Sequence, residues 1–292
     1  MRLATLTEHM TNKYDDKTAI KMLHEAGFKY FDISFFKMRD DEDYEMNKDN
    51  YEEYIKDVRA YADSLGMVCI QSHAPFHSSC GDEEKDEITF QKIVRAIHGA
   101  AIMGADVIIV HPKQHLTYNE GNNPEILKEM NKEFYSRLIP YAKKYNIKIA
   151  IENMWHWFGG RIWHSTCSRQ EEFKEYVDMM DSEWIVACLD IGHVALVDEG
   201  LPEMIEALGP RLKALHVHDN DFKNDQHLFP FLGKIDFNSV ISSLAKIGYT
   251  GDLTFEADAT FNNLPEELYG AGLKFLKEIG TYLVNDFSNK CK

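Results

Sequence analysis

Six short apolar runs of this chain each end on side chains that can hold a metal ion. They are CIQSHAP with His73, VIIVHP with His111, KIAIENM with Glu152, VACLDIGH with Asp190 and His193, LKALHVHD with His216, and LTFEAD with Glu256. A strand covered on both faces reads as a run of Val, Ile, Leu and Ala, and core packing gives no reason for a polar group at the same end of run after run. One such histidine is an ordinary hydrogen-bonded core residue; their repetition implies convergence on one point. Buried carboxylates are costly unless paired or metal-bound. Glu152, Asp190 and Glu256 would bring three of them together, with His216 adding a nitrogen donor. That oxygen-rich set suits Mn2+, Mg2+ or Co2+ and admits Zn2+.

The elements that must position these groups alternate from end to end. RLATLT, YFDISF, VCIQSHAP, DVIIVHP, KIAIENM, WIVACLDIGH, LKALHVHD and GDLTFEAD read as strands, each followed by a segment of helical periodicity. Gly27, Gly66, Gly104 and Gly248 fall between a helix and the next strand. Pro202 and Pro265 suit first helical turns, and Ser168 with Glu171 has the spacing of a capping box. NMWHWFGGRIWHS, after the fifth strand, is expected to be a long loop whose glycine pair lets it move as a lid. Eight βα units without a Pro/Ser-rich linker predict one (β/α)8 TIM barrel over residues 1–292, with all strand C-termini at one mouth. No GxGxxG turn follows the first strand, which disfavours an open doubly wound sheet.

The strand-end set, with LDIGHV, the HVHDN run at 216–220 and DQHLFPFLGKIDF at 225–237, resembles the xylose isomerase-like TIM-barrel superfamily. That group holds keto-sugar 3-epimerases, sugar isomerases, inosose dehydratases and endonuclease IV, and the resemblance spans essentially the whole chain. It implies one divalent metal on Glu152, Asp190, His216 and Glu256, with Glu152 and Glu256 also acting as acid and base. A metal chelated by a sugar carbonyl and its neighbouring hydroxyl acidifies the adjacent C–H and stabilises an enediolate. Proton transfer across two faces gives epimerisation, and transfer along one face gives isomerisation. The sequence leaves both open, along with dehydration or lyase chemistry through the same enolisation.

Endonuclease IV supplies the alternative, a multi-zinc phosphodiesterase acting on abasic DNA. Its cluster would fall on His73, His111, Glu152, Asp190, His193, His216, Asp225, His227 and Glu256, with Asp225 as an additional metal ligand. In the sugar reading, His73, His111, His193 and His227 contact substrate instead, beneath the aromatic face of Trp155. Arg161 and Lys113 are candidate anion contacts if the sugar is phosphorylated. His24 and His98 fall in helices and His9 and His115 in loops. His218 is left outside the metal set because alternation is expected to break at its strand's end.

Composition argues against nucleic acid. The net charge is −16 with no dense Lys/Arg stripe, whereas nucleic-acid affinity rests on cations neutralising phosphates. The acidic stretches 40–43 and 82–87 read as solvated loops and helix starts. No apolar stretch nears the roughly 20 residues of a membrane helix, and MRLATLTEHM lacks the form of a secretory signal. Five cysteines without CxxC fit neither a disulfide framework nor a thiolate zinc site. The expectation is a cytoplasmic enzyme of a small-molecule sugar, with family resemblance favouring a homodimer or homotetramer.

Overall fold

Eight parallel strands pair in the order in which the sequence alternates. The computed structural model describes residues 1–292 apart from the side chain of Asn263. The strands are β1 (Leu3–Thr5), β2 (Tyr30–Ser34), β3 (Val68–His73), β4 (Val107–Val110), β5 (Lys148–Glu152), the short β6 (Trp155–Phe158) and β7 (Arg161–His164), then β8 (Ile185–Asp190), β9 (Leu212–His216) and β10 (Leu253–Phe255). One sheet runs β2-β3-β4-β5-β8-β9, and β1 pairs with β10. Single bridges, Leu6 to Asp32 and Val217 to Phe255, join the two sets and close the ring. The expected (β/α)8 TIM barrel is therefore the observed fold, with long helices outside it from Asp16–Glu25 to Tyr269–Lys290.

The main core lies between the ring and these helices. Alternation along the strands assigns the other faces to the barrel interior. Ile108 and Val110 join the outer core, while Val107 and Ile109 pack with Ala150, Val186, Cys188 and Ala214 in a separate interior cluster. The opposite side of the interior is polar. Asp32 lies between the core residues Phe31 and Ile33, and Thr254 between Leu253 and Phe255. The Gln71 side chain crosses the barrel to the carbonyl of Leu215 (3.4 Å).

Two local expectations are corrected. The segment after Glu152 is an antiparallel hairpin, with Trp155 opposite His164 and Phe158 opposite Arg161. Gly159 and Gly160 have φ of 60° and 81°, the two positive values that suit the twist of a two-residue hairpin turn. The Ser168–Glu171 capping box does not form. The helix begins at Gln170 after an extended Arg169 with no side-chain cap, and the Ser168 hydroxyl accepts the Ser165 N–H instead (3.2 Å). Asp82 does cap its helix, accepting the Lys85 N–H at 3.1 Å.

Candidate active site

At the C-terminal end of the ring, Glu152, Asp190, His216 and Glu256 each offer a ligand atom within 4.8 Å of the others, and all four are buried. His216 Nδ1 lies 3.1 Å from Glu152 Oε1 and 2.9 Å from Glu256 Oε2. The glutamates approach from β5 and β10, which β8 and β9 separate in the ring. Glu152 also turns its other oxygen to His111 Nε2 (3.0 Å) and His73 Nε2 (3.4 Å). It thereby joins the deep set to a His73–His111–Glu152 group.

Asn153, next to Glu152, braces the neighbouring strand end. Its side chain donates to the Asp190 carbonyl (3.0 Å) and accepts the Asp190 N–H (2.8 Å). Asp190 in turn caps the short helix Ile191–Leu196 by accepting the His193 N–H (2.8 Å). His193, His218, Asp225 and His227 form a further donor group beside the deep one. Asp225 Oδ2 lies 3.2 Å from His227 Nε2 and 3.5 Å from His193 Nε2. The indole N–H of Trp155 donates to the same oxygen (3.0 Å).

Backbone carbonyls fix several of the rings. His73 Nδ1 donates to the Ala74 carbonyl (2.7 Å), His193 Nδ1 to Asn153 O (2.8 Å) and His227 Nδ1 to Glu256 O (2.7 Å). Each bond leaves Nε2 as the free ligand atom facing the site, as expected of metal-binding imidazoles.

Charge in the deep set is unbalanced. Burial pushes the Glu152 carboxyl up, but His216 and His111 more than reverse that and hold it well below the ordinary range. Burial acts against a charged His216, yet the Glu256 and Glu152 carboxylates hold it well above its ordinary value. Asp190, opposed by burial but favoured by His193 and His218, is lowered to about 2. Glu152 and Glu256 thus favour a proton on His216, the one imidazole of the set. A divalent cation would displace that proton and balance the set. The donors present fit a hard or borderline divalent metal.

The cavity above them encloses about 640 Å³, within the ~300–1,000 Å³ of small-molecule sites. Glu8, Phe36, His115, Met154 and Asp258 contribute to its walls, and no lysine or arginine does among the described residues. The Glu8 carboxyl is pushed up to about 8 by burial and by the nearby Asp258 and Glu256.

Every strand-end group expected at the mouth is therefore brought there, together with Asp225, His227 and Trp155. Lys113 instead lies 3.9 Å from Asp86, and Arg161 stacks on Trp163 away from the cavity. His115 lines the cavity, whereas His9 is buried against Phe261. His218 is a correction, since its Nε2 donates to Asp190 Oδ1 (3.0 Å). Its spacing of two from His216 was the available signal. Glu8, Asp258 and Asn153 carried none.

A family profile described as xylose isomerase-like TIM barrel matches residues 20–279. An uncharacterized protein of Methanocaldococcus jannaschii is 31% identical over 194 residues, covering 65% of this chain and 64% of that protein, less than two thirds of its length. The fructoselysine 3-epimerase of Shigella flexneri is 23% identical over 216 residues, 72% of this chain and 75% of that enzyme. A crystal structure of a D-tagatose 3-epimerase-like protein superposes with a TM-score of 0.73 at 23% identity, over 97% of this chain and 100% of that one.

Proposed function

The chain belongs to the xylose isomerase-like TIM-barrel family, and from that premise we propose that it is a metal-dependent epimerase or isomerase of a small sugar or sugar derivative. Glu152, Asp190, His216 and Glu256 hold the ion, and Glu152 and Glu256 exchange protons with the substrate. The observation that carries this reading is the pair of glutamates facing one another across His216 Nδ1, at 3.1 and 2.9 Å. A divalent ion bound there would supply Lewis acidity toward a sugar carbonyl and its neighbouring hydroxyl.

The remaining work falls to the chain's own side chains. Glu152, as the carboxylate, takes the proton from the carbon beside the carbonyl. The electron pair left behind passes into the carbonyl group as an enediolate. Glu256, from the other side of the mouth, returns a proton to the opposite face, and each carboxyl ends in the other's starting state. Inversion at one carbon follows; return of the proton to the neighbouring carbon gives isomerisation instead. A dehydratase would begin with the same abstraction.

The cavity lining supports an unphosphorylated substrate. It offers no guanidinium or ammonium group among the described residues, whereas phosphate recognition rests on Arg, Lys or helix N-termini. Trp155 and Phe36 supply apolar faces for the C–H surface of a sugar ring.

One observation favours a second reading. The three contiguous donor groups have the ligands for more than one ion, as a multi-zinc phosphodiesterase requires. The acidic chain and a cavity without lysine or arginine weigh against DNA. A panel of ketoses incubated in D2O with Mn2+ tests the first reading directly. Exchange of a carbon-bound proton is expected for at least one neutral ketose. Three zinc ions per chain, with cleavage of abasic DNA and no exchange, would overturn it.

A further inference from the structure

Asp32 is a buried carboxyl that the proposed chemistry does not use. It sits in the polar half of the barrel interior, one layer below the donor groups, paired in register with Gln71. It is fully buried, and neither carboxylate oxygen has a hydrogen-bond partner. A buried carboxylate without partners is strongly destabilising, so its presence calls for a compensating role.

The far nitrogens of the site imidazoles point to that role. His73, His193 and His227 each donate the ring N–H away from the site to a backbone carbonyl. His216 does not. Its Nδ1 faces Glu152 and Glu256, and its Nε2 is buried with no partner. Metal-bound histidines commonly give their second N–H to a carboxylate, a carbonyl or a water, which fixes the tautomer and the ring plane. Burial pushes the Asp32 carboxyl up to about 7, and of the groups that oppose this His216 acts most, ahead of His73, which already has its acceptor in Ala74. Thr254 Oγ1, on the adjoining β10 and likewise facing inward, is a third buried polar atom without a partner.

We propose that Asp32 is the positioning residue of the metal centre, accepting the Nε2–H of His216 through one ordered water that Thr254 Oγ1 also contacts. No direct hydrogen bond joins the two side chains, and a bridging water is the ordinary link between buried polar groups that do not touch. Such a water would have partners of the number and kind that buried waters use. The carboxylate would hold His216 as its Nε2–H tautomer, so that Nδ1 presents its lone pair between the two glutamates. It would also explain why one side of the barrel floor is polar while the other is Val, Ile, Ala and Cys.

This inference rests on the metal-site reading above, and the test separates the two. Zn2+ affinity of the full chain is measured by chelator competition for the wild type and for Asp32→Asn. In parallel, imidazole 15N–1H spectra of the zinc-loaded wild type report the His216 tautomer. The expected results are zinc binding by the wild type, a slowly exchanging Nε2–H on His216, and affinity weakened about 10- to 100-fold in Asp32→Asn. The metal-free variant should melt close to the metal-free wild type, because the amide oxygen of Asn still accepts a hydrogen bond. A purely structural role would lower melting without moving the tautomer. Equal zinc affinity in variant and wild type, or a wild-type His216 protonated on Nδ1, would overturn the assignment. Should the variant not fold, the wild-type spectrum still decides. If the wild type binds no divalent ion, it is the metal-site reading that fails.

Discussion

The deep and outer donor groups sit side by side at one barrel mouth and are built on opposite principles. Glu152, Asp190, His216 and Glu256 stand at or just beyond the ends of four barrel strands, with three carboxylates to one imidazole. His193, His218, Asp225 and His227 come from a short helix and the stretch after β9, with three imidazoles to one carboxylate. The first set has an excess of negative charge that only a cation can balance. The second draws part of its balance from the first. Burial opposes the charge on His193 and His227, but Asp190 and Asp225 raise His193 to about 10, and Asp225 holds His227 well above its ordinary value. Under the proposed function, the first group would hold the ion and the second would face what the ion acts on.

The comparison breaks most sharply at the glutamates. Glu256→Gln should lower carbon-bound proton exchange by about 10²–10⁴-fold while melting stays close to wild type, as read by NMR exchange and thermal scans. A protein that simply unfolds would make Glu256 a structural residue. A smaller effect is expected at the rim. Asp225→Asn should reduce turnover roughly 10-fold, an effect of the order seen on removing groups that orient first ligands. Tightly bound metal should remain unchanged, and a drop in metal count would move the outer group into the multi-ion class.

The two groups meet at His218, which reaches Asp190 across Gly192. A Cβ on Gly192 would collide with the His218 ring, so Gly192→Ala should destabilise by about 1–3 kcal/mol through overpacking. Adding His218→Ala should recover part of the loss in a double-mutant cycle; no recovery would mean that the strain lies elsewhere.

The smallest effect concerns pH. His193 is raised from 6.5 to about 10, so its contribution is complete below pH 6.5 and is lost as pH climbs toward 10. Asp190 is lowered from 3.8 to about 2, so its contribution is complete above pH 3.8 and is lost as pH falls toward 2. Metal-free protein should therefore melt at a lower temperature at pH 9.5 than at pH 6.5. An unchanged melting curve across that window would mean that His193 is neutral throughout.

The deep group was legible because each ligand ends an apolar run, and burial on both strand faces makes such runs stand out. The barrel followed from the same alternation. His218 was set aside on the expectation that alternation breaks at the strand's end, yet backbone pairing runs on through Val217 and the alternation runs on with it. Asp32 was unremarked within YFDISF, since one carboxyl in an apolar strand carries no mark of which atoms it faces. The hairpin had a signal, a Gly-Gly pair between aromatic runs, which specifies a two-residue turn, whereas the segment was read as a loop. Glu8 and Asp258 lie in connections after strands, where any polar residue is tolerated and only three-dimensional closure gives them a place.

The bond from Trp155 to Asp225 makes the hairpin and the outer group one thermodynamic unit. Three of the four tryptophans, Trp155, Trp157 and Trp163, lie on that hairpin. Any ligand that competes for Asp225 must release the indole N–H, and any displacement of the hairpin must release the carboxylate. By reciprocity the two events carry the same coupling free energy. The intrinsic fluorescence of the chain is thereby a built-in readout of whether the rim of the mouth is engaged.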